Sequence, residues 1–262
     1  MTFQPIVPLS GYTGWRFLQR TLDNQQAAFE KSAPVQRATD YFAENIGKIE
    51  TAEQLVADRQ LLSVALGAFG LDDDINNKFF IQKVLEEGTL ESDSLANRLS
   101  DSRYAAFSKA FGFGDFPIAN TVLSDFPGDI IARYHSKQFE IAVGDQNGDF
   151  RSALNLKSAI TDILDSSASK DAQWFSIMGN PPLRDVVEKA LGLPSSISRI
   201  DIDQQLEAFK DRSKSVFGSD DVSIFSGDDV QEDMIRLFLV RSEAAASFQN
   251  SSYSIALTLL QS

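Results

Sequence analysis

The chain has a single histidine, His135, in the run Arg133-Tyr134-His135-Ser136-Lys137. A lone imidazole can act as a general base or bind a metal. Here its neighbours are basic or polar, no carboxylate lies three residues away, and only Glu140 follows further on, which reads as a solvated helix position. One histidine cannot build a His-rich metal centre. The absence of cysteine removes thiol nucleophiles, thiolate zinc sites, iron–sulfur ligation and disulfides. Serine chemistry lacks its usual marker, because no Gly-x-Ser-x-Gly elbow occurs. The segment Gly112-Phe113-Gly114 has neither the third glycine nor the lysine of a phosphate loop, and Asp115 would repel the anion.

Carboxylates are abundant: Asp72-Asp73-Asp74, Asp145, Asp149, Asp201, Asp203, Asp220-Asp221 and Asp228-Asp229. A calcium loop starting at Asp145-x-Asn147-x-Asp149 would need glycine where Phe150 stands and glutamate where Leu156 stands. Each cluster precedes a helical run, where acidic side chains cap free N–H groups and oppose the helix dipole. Capping is therefore the expected role. A carboxylate-site enzyme would require a converging pair among Asp145, Asp149, Asp201 and Asp203 in a cleft. The expectation is no catalytic residue, no cofactor, no metal and no enzyme.

The elements that would position such groups are helical. From Thr51 to Phe69, Leu55, Leu62, Leu66 and Phe69 share one face, with a capping box formed by Thr51 and Gln54. Leu183, Val186, Val187, Ala190 and Leu191 make an apolar stripe after Pro181 and Pro182, residues suited to a first helical turn. Ser226 and Asp229 suggest a second capping box, with Phe225 stapled to Val230. Weaker patterns cover 14–31, 34–46, 76–87, 93–111, 127–143, 149–165, 171–178 and 203–217. Alternation is best at Asp220 to Phe225, and poor even there. The fold class expected is all-α, a multi-helix, bundle-like assembly of about ten helices.

Three apolar runs end in Gly70, Gly112 and Gly192, each followed by an apolar residue that can fold back on the last turn. Their spacing is near one and two units of about forty residues, as in a weak helical repeat. Ordinary helix ends explain the same glycines, and the similarity fades between them. The organisation expected is an extended segment over residues 1–13, a helical domain over 14–246 with a seam near 144–170, and a Ser-rich stretch with an apolar tail over 247–262.

The 262 residues carry 24 Lys or Arg against 37 Asp or Glu, a formal net charge of −13. That balance argues against a nucleic-acid binder. The apolar fraction of 43% is too high for a disordered chain. Twenty Phe beside three Met and two Trp point to aromatic core packing. No run approaches a membrane span, and the N-terminus lacks a basic and apolar secretory signal, so the chain is expected to be made in the cytoplasm. Two regions stand out as candidate partner-binding residues: Tyr12, Trp15 and Phe17 near the start, and Ile255, Leu257, Leu259 and Leu260 in the tail. Trp174 and Phe175 form a further aromatic pair whose simpler role is in a core.

Several stretches carry a family resemblance. These are Gly11 to Leu18 (GYTGWRFL), Leu55 to Gly88, Leu95 to Phe113, Trp174 to Pro194 and Ile200 to Phe209. Together they resemble an alphaproteobacterial family of unknown function encoded in flagellar gene clusters. The resemblance implies flagellar partners and a non-enzymatic structural or assembly role, with a cytoplasmic chaperone or regulator of flagellar export as the alternative. It also implies a flagellar or exported location, and it carries no catalytic motif. The heptad-rich terminal helices of an axial rod subunit are missing.

Overall fold

The computed structural model describes residues 3–164 and 169–261, with side chains to residue 247. Among the described residues there are thirteen α-helices and no strand. They are α1 Gly11–Glu30, α2 Ala33–Asn45, α3 Ala52–Ala57, α4 Arg59–Gly67, α5 Lys78–Glu87, α6 Leu95–Arg98 and α7 Arg103–Phe111. They continue with α8 Phe126–Gly144, α9 Gly148–Leu164, α10 Lys170–Met178, α11 Pro181–Leu191, α12 Ile202–Phe217 and α13 Asp228–Gln261.

The chain divides into two compact units. The first comprises residues 1–6 and 20–146, the second 7–19 and 147–262. Helix α1 therefore gives its early turns to the second unit and its later turns to the first. The division after Gln146 falls in the short loop between α8 and α9. The crossings near residues 6 and 19 leave no compositional trace in the sequence.

In the first unit α4 is central, packing against α2, α3 and α8. Its core holds Phe42, Leu55, Leu62, Leu66, Phe107 and Phe111. Phe111 meets the Phe126 ring edge-on at 5.1 Å, and Phe69 meets Phe107 at 5.4 Å. In the second unit α11 lies against α9, α10, α12 and α13. Trp174, fully buried, meets Phe209 and Phe225 edge-on at 6.1 and 5.8 Å, and its indole N–H donates to the Asp220 carbonyl at 2.8 Å. Such ring pairs add to the free energy of area burial because each ring's positive edge faces another's negative face. The abundant phenylalanine is largely spent in this way.

Several local expectations need correction. The run from Thr51 to Phe69 is two helices, broken at Asp58. Its carboxylate accepts from the Gln60 and Leu61 N–H groups at 2.9 and 3.0 Å, and from the Tyr41 hydroxyl at 2.8 Å. The aspartate thus starts a new helix rather than continuing the old one. At Thr51 the capping box forms: the Thr51 hydroxyl accepts from Gln54 N–H, and the Gln54 side chain accepts from Glu50 N–H. The run 93–111 is likewise split between α6 and α7, with Asp101 accepting from Arg103 N–H. Asp220 to Phe225 is not a strand. Residues Val222–Ser226 form a 3-10 turn, and the Ser226 hydroxyl donates to the Ser223 carbonyl instead of capping α13. Helix α13 also runs unbroken through the Ser-rich stretch.

Gly70, Gly112 and Gly192 do adopt the left-handed conformation, with φ near +67°. Leu71 N–H reaches the Leu66 carbonyl and Leu193 N–H the Glu188 carbonyl, the six-to-one bond of a Schellman ending. Arginines complete these ends. Arg212 donates to the Leu191 carbonyl, Arg241 to those of Lys189 and Ala190, and Arg103 to that of Gly70. Cationic donors at helix C-termini satisfy orphan carbonyls and oppose the dipole.

Candidate functional site

The sequence-derived candidates near the N-terminus lie inside the second unit. Trp15 is buried and meets Phe150 edge-on at 6.0 Å, and Phe17 is half-buried. The Glu232 carboxylate of α13 gathers donors from α1. Tyr12 hydroxyl lies at 2.8 Å, Gln19 amide at 2.7 Å, Trp15 indole N–H at 3.5 Å and Arg16 guanidinium at 3.6 Å. Burial and the neighbouring carboxylate both push the Tyr12 phenol upward, so it remains a hydrogen-bond donor. This arrangement fastens the start of α1 and leaves Trp15 unable to face a partner. Ile255, Leu257, Leu259 and Leu260 fall on α13 but their side chains lie outside the described ones.

Residues 3–10 are extended, and residues 3–6 of them are docked on the first unit. Phe3 meets Phe29 edge-on at 5.7 Å, and the Gln25 side chain accepts from Ile6 N–H at 2.7 Å and donates to its carbonyl at 3.2 Å. Gln146 donates to the Pro5 carbonyl. The helix begins at Gly11 rather than at residue 14.

Asp145, Asp201 and Asp203 are exposed, and Asp201 caps α12 by accepting from Asp203 N–H at 2.9 Å. Asp149 is half-buried, and that burial raises its carboxyl above the usual range. Among the described residues no group of His, Asp and Glu could hold a metal ion. His135 is less solvated than the sequence suggests: its Nδ1 lies 3.8 Å from the Glu30 carboxylate and its Nε2 is buried without a partner. Burial lowers its pKa, with Glu30 opposing. The imidazole is thereby biased toward its neutral form.

One aspartate capping role has a measurable pH signature. Asp221 starts the 3-10 turn, accepting from Ser223 N–H at 2.9 Å, and pairs with Lys170 at 2.6 Å. Lys170, and then the Ser223 N–H, lower its pKa from 3.8 to about 2. A depressed folded-state value stabilises the fold above the unfolded value and is lost as pH falls toward about 2. Asp221→Asn keeps the cap but not the charge. Its stability should therefore change less than the parent's between pH 4 and 2 in acid titrations followed by circular dichroism. Equal pH dependence in the two proteins would contradict this assignment.

The strongest candidate surface is one that periodicity does not reveal. Leu90, Phe116, Ile118, Val122 and Leu123 are between 47% and 71% exposed, and all stand on the loops 88–94 and 112–125 of the first unit. These loops are tied together. The Asp115 carboxylate accepts from the Thr89 N–H, from the Thr89 hydroxyl at 2.9 Å and from Leu90 N–H at 3.1 Å. Gly114 lies so close to α5 that an added Cβ would fall 2.4 Å from the Glu86 carbonyl oxygen and 2.4 Å from the Gly88 nitrogen. Asn120 donates to the Ala110 carbonyl at 3.0 Å, and the Thr121 hydroxyl donates to that of Ile49. Asn97 fixes the other loop by donating to the Thr89 and Glu91 carbonyls, each at 2.8 Å.

The aspartate that disqualifies Gly112-Phe113-Gly114 as a phosphate loop is thus the residue that pins this surface. A sequence signal was available in retrospect: Phe116, Ile118, Val122 and Leu123 are apolar residues without helical phase, between Gly114 and Asp125. Large apolar side chains held outward on ordered backbone make these loops the candidate contact surface of the first unit.

The comparisons with known proteins agree with the fold and supply no chemistry. A crystal structure of an Agrobacterium tumefaciens protein is similar to this chain with a TM-score of 0.73 and 25% identity, covering 92% of this chain and 98% of that one. Among curated proteins none matches. Residues 68–230, which include both apolar loops, match the family model described as a protein of unknown function, DUF1217. The chain belongs to the DUF1217 family.

Proposed function

We propose that the protein is a non-enzymatic, flagellum-associated structural component or assembly accessory that acts through protein–protein contacts, with the 88–94 and 112–125 loops as its docking surface. The observation that carries the contact role is the set of five exposed apolar side chains on loops fixed by Asp115. An entropic cost of ordering a loop on binding would weaken a complex, and these loops are already ordered. The flagellar context rests on the sequence resemblance. The scattered carboxylates and half-buried histidine favour this reading over hydrolytic chemistry.

The test is deletion of the gene together with fractionation of an epitope-tagged chain. The expected result is reduced swimming, with the tagged protein enriched in hook–basal bodies or culture supernatant. A soluble cytoplasmic pool with reduced swimming would replace the structural role by that of an export chaperone or regulator. Normal swimming in a clean deletion would overturn the flagellar assignment.

A further inference from the structure

The charge around the apolar loops narrows what can dock there. Residues 84–97 contain Glu86, Glu87, Glu91 and Asp93, residues 110–132 contain Asp115, Asp125 and Asp129, and neither stretch contains a Lys or Arg. Three of the seven carboxylates are engaged locally. Asp115 ties the loops, Glu86 accepts from Gln82, and Glu87 pairs with Lys83 and accepts from Leu95 N–H. Glu91, Asp93, Asp125 and Asp129 are exposed. Arg98, which closes α6, and Lys109, which precedes the loop 112–125, stand at the ends of these stretches, and Lys48 belongs to the turn that packs on residues 120–122 within the second.

We infer that the occupant of this surface is a basic amphipathic segment of another protein, with apolar side chains set against Leu90, Phe116 and Ile118 and Lys or Arg side chains against Glu91, Asp93 and Asp125. The inference rests on the docking role proposed above and adds the chemistry of the partner. A second copy of the chain would bring carboxylates against carboxylates, from a molecule that itself carries a net charge of −13. An anionic lipid surface or a nucleic acid meets the same repulsion. A cationic helix gains both long-range steering and area burial.

The experiment uses the full chain and two fluorescein-labelled synthetic helices of eighteen residues, one of leucine and lysine, the other with glutamate replacing lysine. Binding is followed by anisotropy at several salt concentrations. The lysine peptide should bind with an affinity that falls as salt rises, and the glutamate peptide should not bind. Phe116→Ser with Ile118→Ser should weaken the lysine peptide at least tenfold. Both positions are exposed, so the fold should tolerate the change. Glu91→Gln, Asp93→Asn and Asp125→Asn together should weaken it about tenfold and flatten the salt dependence. Neutralising three exposed carboxylates of the second unit, Asp203, Glu207 and Asp233, should change binding less than twofold.

Equal effects of the two neutralisations would mean a generic attraction to an acidic protein, and would overturn the inference. So would equal binding of both peptides, or binding of neither. The docking role has its own readout: it fails only when Phe116→Ser with Ile118→Ser leaves the cellular fractionation of the chain unchanged.

Discussion

Trp174→Ala should lower the unfolding free energy of the second unit by about 3–5 kcal/mol. The indole is fully buried, two phenylalanine rings meet it edge-on, and its N–H is held by the Asp220 carbonyl. Alanine removes the ring contacts and leaves a cavity among Phe209, Phe225 and their neighbours, which rigid helices cannot fill by collapse. It also strands the Asp220 carbonyl, a loss of about 1–3 kcal/mol where water cannot replace the donor. Trp174→Phe separates the two contributions. It retains most apolar volume and should lose roughly half as much, chiefly through the hydrogen bond. Denaturant unfolding followed by the emission of Trp15, which belongs to the same unit, measures both variants. A loss below about 1 kcal/mol for the alanine variant would show that Trp174 is not the anchor its contacts describe.

Gly114→Ala should destabilise the first unit by about 1–3 kcal/mol, although the new group is only a methyl. The Cβ would be forced against the Glu86 carbonyl oxygen and the Gly88 nitrogen, which are backbone atoms and cannot rotate aside. The loop must lift, and lifting it pulls Asp115 from Thr89 and Leu90. The expected signature is faster amide exchange at Thr89 and Leu90 together with a lower denaturation midpoint. Gly128→Ala is the informative contrast. Beyond its chain neighbours and its own helical backbone nothing lies within 4 Å of its added Cβ, and it sits in the first turn of α8, so the change should be neutral or stabilising by up to about 1 kcal/mol. Similar behaviour of the two variants would refute the close approach of the loop to α5.

The contrast between these residues also shows what could be read from sequence. Helical periodicity reported most of the elements, and glycine followed by an apolar residue correctly marked three helix ends, because both signals are local. Asp58 defeats periodicity: Leu55 and Leu62 are buried as one continuous helix would bury them, while the aspartate side chain terminates one helix and starts another. At Asp220 to Phe225 the alternation is poor, limited to Val222 and Ile224, and a 3-10 turn instead buries Val222 and Phe225 three residues apart. Trp15 offered no sign of which face it would present, because Phe150 and Glu232 lie far along the chain. The loop surface was hidden for a related reason. Exposure of Phe116 and Ile118 depends on Asp115, Gly114 and Asn120 reaching partners on other elements, and no windowed pattern contains those partners.

The sharing of α1 between the two units sets an order of events during synthesis. A ribosome delivers Tyr12 220 residues before Glu232, the carboxylate that holds it. The first unit has all its residues once Gln146 has emerged, whereas the second must wait for α13. Throughout that interval Tyr12, Trp15 and Gln19 lack the α13 carboxylate that accepts their hydrogen bonds in the finished protein. The early turns of α1 are therefore the segment whose fastening comes last, and a chain truncated before α13 would lack it permanently.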